Sequence, residues 1–130
     1  MKSAVLTDRR SRPVRLWLSV LGWMGIIFLL SAQSGPPVAL VFPQADKVGH
    51  FILYLVLGIL LVRAWRATPG RSDRARLLAL VVGIIYAASD EFHQRYVPGR
   101  TPDWADFGTD TLGLLAAMII MRSRAGRRGR

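Results

Sequence analysis

Three short stretches carry nearly all the side chains able to move protons or hold ions. Asp46, Lys47, His50 and Tyr54 form the first. Tyr86, Asp90, Glu91, His93 and Gln94 form the second, and Arg100, Asp103, Asp106 and Asp110 the third. Together they include both histidines and all but two of the chain's 8 acidic residues. Carboxyl and imidazole groups do acid–base work when their surroundings bring the pKa towards the working pH. Asp90, Glu91, Asp110 and His50 are the candidates for that role. Arg100 and Lys47 are suited to a phosphate or carboxylate, the guanidinium through a bidentate fork. Asp46, Tyr54, Gln94 and Asp106 complete the candidate binding set. His50, Asp46, Glu91, Asp106 and Asp110 are also metal-ligating types, but no close-spaced motif such as H-E-x-x-H accompanies them. No metal and no cofactor are therefore expected. Cysteine is absent, which removes disulfides and thiolate sites.

The spacing within each stretch is helical. Asp46, His50 and Tyr54 follow i, i+4, i+8, as do Tyr86, Asp90 and Gln94. Asp106, Asp110 and Gly113 share a face in the same way. Each element must therefore be a helix presenting one polar stripe. His93 stands beside Asp90 but off its stripe, which suits an exposed or capping residue.

The segments between the polar stretches are strongly apolar. They run roughly Val14–Ala32, Val48–Val62, Leu77–Ser89 and Leu112–Met121, in a chain that is 52% hydrophobic and 20% charged. A spanning helix needs about 20 predominantly apolar residues. Only the first run nearly suffices alone; the others reach that length if their polar flanks continue the helix. The fold class is all-α, a four-helix transmembrane bundle. Residues 1–12 are expected as a disordered basic N-terminus, 13–121 as the membrane domain and 122–130 as a basic tail. Pro13 suits the first turn of helix one, and Ser34-Gly35-Pro36-Pro37 ends it. Val38–Gln44 could lie along the membrane surface. Ser72 reads as the cap of helix three and Thr101 as the cap of helix four, with Pro102 and Asp103 in its first turn. Trp17, Trp23, Trp65 and Trp104 read as interfacial or lipid-facing anchors. Gly83 and Ala87, and Gly113 and Ala117, have the spacing that lets helices approach closely.

The net charge of +10 is distributed by position rather than as a nucleic-acid patch. Arginine clusters precede run one, separate runs two and three, and follow run four. The alternate connections hold only Lys47, Arg95 and Arg100. The positive-inside rule then puts both termini in the cytoplasm and the acidic end outside. The basic segments would meet anionic lipid at the cytoplasmic face, and no nucleic-acid partner is expected. Measured from Arg63, Arg76 and Arg122, the residues His50, Asp90 and Asp110 lie roughly 18–21 Å up their helices. Three ionisable groups thus reach one level, where burial requires the stripes to point inward together. Such groups mark a functional site by default.

The same residues carry a family resemblance. Asp46-Lys47-Val48-Gly49-His50-Phe51, with Tyr54 and Gly58, is similar to the first signature of the VanZ-like membrane proteins. Asp90-Glu91-Phe92-His93-Gln94, followed by Val97-Pro98-Gly99-Arg100, resembles the second. Asp106-Phe107-Gly108-Thr109-Asp110-Thr111-Leu112-Gly113 resembles the third, where Asn often replaces the second acid. The resemblance runs from about Ser31 to Ile120. It implies a multi-pass protein of the bacterial cytoplasmic membrane, in a family named for a protein linked to low-level resistance to the glycopeptide teicoplanin.

The function expected is an outward-facing polar pocket that binds or processes an anionic envelope component. Its partner would be a membrane lipid or a lipid-linked envelope intermediate. Two alternatives stand beside it: a small proton-coupled exporter, and a structural bundle whose charges only hold loops in place. The sequence gives no oligomeric state.

Overall fold

The computed structural model describes residues 2–34 and 45–126, and these are almost wholly helical. Helix α1 is Lys2–Ser31, α2 is Ala45–Ala67, α3 is Ala75–Gln94 and α4 is Trp104–Gly126. A 3-10 turn, Ser72–Arg74, leads into α3. Helix α1 begins before Pro13, which lies inside it, so helix covers the described part of the segment expected to be disordered. The expected surface segment Val38–Gln44 lies outside the described residues.

Helices α1, α2 and α4 are long and apolar enough to cross a membrane. At 1.5 Å per residue, 23 residues of α2 extend about 35 Å, against a hydrocarbon core about 30 Å thick. Among the described residues the four spanning helices expected from the sequence therefore become three. Arg76 and the pair Asp90–Glu91 bracket the apolar stretch of α3 and leave it short. Its packing is nonetheless of the membrane kind. Ala75, Ala79, Gly83 and Ala87 are buried, while Leu77, Val81 and Ile85 are exposed. Small residues face the bundle and large apolar ones face outward, as in lipid, where close backbone approach replaces hydrophobic burial as the adhesive.

Helix α2 is the hub and packs against all three others. Its closest partner is α4. A Cβ on Gly58 would lie 2.6 Å from the Ala117 Cβ, and one on Gly113 would lie 2.5 Å from the Phe51 carbonyl oxygen. Gly113 therefore lets α4 rest directly on the α2 backbone. Leu57, Leu61, Leu114 and Ala117 fill the contact and are fully buried. The turn into α4 passes through Gly99 at φ +79°, where a side chain would be strained.

Helix α1 is fastened by indole and phenol groups. Trp23 Nε1 donates to the Leu53 carbonyl at 2.9 Å, and Trp17 Nε1 to Thr68 Oγ1 at 3.1 Å. The Trp17 and Trp65 rings meet edge to face at 4.9 Å. Three of the four tryptophans thus bind helix to helix, while Trp104 is 83% exposed. Tyr86 Oη donates to the Met24 carbonyl at 2.6 Å and joins α3 to α1. Tyr86→Phe removes that bond alone. The expected loss is about 1 kcal/mol, read as a lower unfolding temperature in detergent with helix content unchanged.

Candidate functional site

The three polar stripes turn inward at one end of the bundle. Helix α2 brings Lys47, His50 and Tyr54; α3 brings Asp90, Glu91 and Gln94; α4 brings Asp106 and Asp110. Asp110 is completely buried, and Asp90, Glu91, Gln94 and Asp106 are buried with it. Helical phase places them: each polar residue sits one or two turns from a small or core residue on the same face.

At the centre is a histidine–carboxylate pair. His50 Nδ1 lies 2.9 Å from Asp110 Oδ1, and His50 Nε2 lies 3.9 Å from Asp106 Oδ2. An ionised carboxylate only accepts. With Asp110 ionised, Nδ1 carries the hydrogen, and Nε2 is the nitrogen left for proton traffic. This is how a buried acid fixes an imidazole's tautomer and direction. The charges of Asp110, Asp106 and Asp90 all bear on His50.

Lys47 closes the cluster on one side. Its Nζ donates to Asp106 Oδ1 at 2.7 Å and Asp103 Oδ2 at 3.1 Å. The expectation that Lys47 holds a ligand's anion yields to this geometry, since its ammonium already faces two carboxylates. Asp103 also accepts from the Ala105 N–H at 2.8 Å and so caps α4. Asp103 takes the cap expected of Thr101 because its side chain directly precedes Trp104 and reaches the first-turn donors. The Ala105 N–H and then the Lys47 ammonium hold its carboxyl below the usual carboxylate range. The Asp103 N–H donates to Glu91 Oε2 at 3.0 Å, which ties α3 to the start of α4. Asp46 is exposed in the first turn of α2 and lies outside these ion pairs.

Several buried polar atoms find no partner among the described residues. They are Tyr54 Oη, Glu91 Oε1, Gln94 Nε2, Asp110 Oδ2 and His93 Nδ1 in this end of the bundle. Buried polar atoms are satisfied in nine cases out of ten or more, so a group of them demands a reason. The charges of Asp90, Asp110 and Glu91 act on the Tyr54 hydroxyl. Asp90 has the Ser31 hydroxyl beside it, and the charges of His50, His93 and Arg100 act on it. Arg100 donates through Nε to the Gln33 carbonyl at 3.2 Å, closing α1 over the cluster.

One residue passed over in the sequence enters here, and one takes a place other than the expected one. Ser31 sits at the foot of α1 beside Asp90, and nothing in helix one's apolar run signalled it. His93 is half-buried rather than exposed, its ring 4.7 Å from that of Phe28. Histidine on an aromatic of another helix leaves no local sequence signature.

A family model described as VanZ/LLP1 matches the chain over residues 16–125. An uncharacterised protein of Schizosaccharomyces pombe is 32% identical over 95 residues, which cover 73% of this chain and 57% of that protein. The chain thus spans less than two thirds of this relative's length. No solved structure matches.

Proposed function

The chain belongs to the VanZ/LLP1 family and carries three helices long and apolar enough to cross a membrane; from that premise we propose that its polar cluster is a pocket, open to the outer face, that binds or processes an anionic envelope component. The carrying observation is the buried His50–Asp110 pair set among unpartnered buried atoms of Tyr54, Glu91, Gln94 and Asp110. Such atoms call for a partner, and a pocket gives them a ligand or water to bind. His50 Nε2 supplies the base or acid, held by Asp110. Asp90 adds a second buried carboxyl. Arg100 holds the anion. In this reading both termini are cytoplasmic, the protein resides in the cytoplasmic membrane of a bacterium, and its activity alters glycopeptide susceptibility. The basic ends meet anionic lipid there.

Part of the cluster is architectural. Lys47, Asp103, Asp106 and Glu91 Oε2 form a continuous brace between α2, α3 and α4. The remaining groups, Asp90, His50, Asp110, Tyr54, Gln94 and Arg100, are where function is assigned.

Asp90→Asn and Arg100→Lys test the assignment. Asn keeps the shape of Asp and removes its charge; Lys keeps the charge of Arg and removes its bidentate fork. Both variants should insert and fold with unfolding temperatures near that of the unaltered chain, yet no longer change teicoplanin susceptibility or retain lipid from an envelope extract. Full activity in both, at equal expression, would remove the case for a ligand site.

A further inference from the structure

Beside the pocket, the end of α3 and the start of α4 enclose a groove of about 550 Å³. Phe92, Trp104 and Phe107 give it apolar walls, Arg95 and Arg100 give it cations, and Glu91 lines it as well. The Arg95 guanidinium lies 5.8 Å from the centre of the Phe92 ring, within cation–π reach. Arg100 engages the Gln33 carbonyl through Nε. Glu91 is 8% exposed; one carboxyl oxygen accepts from the Asp103 N–H, and the other has no partner among the described residues. The wall residues Phe92 and Trp104, and Tyr96 next to them, are strongly exposed. Aromatic side chains so placed belong at the level of lipid headgroups.

We propose that this groove seats the head of a membrane phospholipid that carries a hydrogen-bond donor. The phosphate meets Arg95 and Arg100, the donor meets the free oxygen of Glu91, and the first chain carbons lie along Trp104 and Phe107. The charges decide the class. Two guanidinium groups call for an anion, and Arg matches phosphate with paired N–H bonds. A buried carboxylate oxygen only accepts, and leaving it unpaired is costly. A head with phosphate alone brings that oxygen no donor. An ethanolamine or glycerol head brings both, whereas a choline head brings charge without N–H or O–H. This deepens the reading of the preceding section and rests on it for the leaflet involved.

Native mass spectrometry of the full chain in mild detergent tests the inference. The probes are phospholipids with ethanolamine, glycerol or choline heads and identical acyl chains, together with the matching diacylglycerol. Ethanolamine and glycerol heads should bind about tenfold more tightly than choline, the worth of one hydrogen bond to a charged group. Diacylglycerol should show no saturable binding. Arg95→Gln alters an exposed side chain, and it should weaken the ethanolamine and glycerol lipids about tenfold with unfolding temperature unchanged. Equal affinity for choline and ethanolamine heads would overturn the proposal, as would an Arg95→Gln variant that binds like the unaltered chain. Those results, with Asp90→Asn still abolishing activity, would refute the groove and leave the pocket standing. A clear headgroup preference with Asp90→Asn fully active would refute the pocket and leave the groove.

Discussion

Gly113→Ala should destabilise the bundle by about 3 kcal/mol, at the upper end of overpacking costs, and lower the yield of folded protein. The added Cβ would lie 2.5 Å from the Phe51 carbonyl oxygen and 3.0 Å from the Leu55 nitrogen. Both obstacles are backbone in the hub helix, so relief requires α2 and α4 to separate. That separation would also pull Asp110, one turn before Gly113, away from His50. Gly83→Ala offers the contrast. Its Cβ would meet Leu114 Cδ2 at 2.5 Å, but that atom ends a flexible side chain and can turn aside. Its cost should be clearly smaller. Gly22 and Gly25 have nothing within 4 Å of such a Cβ, so Ala there should be neutral or stabilising by about 0.5–1 kcal/mol, through helix propensity. Chemical or thermal unfolding of the four variants in one detergent orders them. Gly113→Ala as stable as Gly22→Ala would mean that α2 and α4 do not touch at this point.

This ordering shows what the sequence could and could not convey. Helical phase put Asp90 with Gln94 and Asp106 with Asp110 and Gly113, and phase alone predicts that such stripes converge once lipid forbids them to face outward. The small-residue spacing at Gly113 and Ala117 likewise predicts close approach, which occurs. Pair identity needs the third dimension. Lys47 is as near to Asp46 in sequence as two residues can be, yet it pairs with Asp103 and Asp106 from another helix. Trp17 and Trp23 have the composition of interfacial anchors; their N–H groups found acceptors on α2 and its following turn instead. The polar ends of α3 hide a tertiary feature as well. Arg95 lies off the Tyr86–Asp90–Gln94 stripe and reads in the sequence only as one of three cations at the acidic end, because the groove it borders exists only after α4 docks.

In the proposed function the His50 cluster is an aqueous pocket opening to the outer face. The chain has no cysteine, so single-cysteine variants need no engineered background. Methanethiosulfonates react with the thiolate, which forms in water and not in lipid or a dry core. Ser34→Cys, His50→Cys and Ser72→Cys, treated in intact cells with a small charged impermeant reagent, place one thiol before α2, one in the cluster and one before α3. His50 suits the purpose because its side chain keeps 16% exposure. Labelling of Ser34→Cys and His50→Cys, with Ser72→Cys silent until the cells are opened, is the expected result. Labelling of Ser72→Cys with Ser34→Cys silent would reverse the orientation, and a silent His50→Cys beside a labelled Ser34→Cys would show a dry cluster, contradicting the pocket.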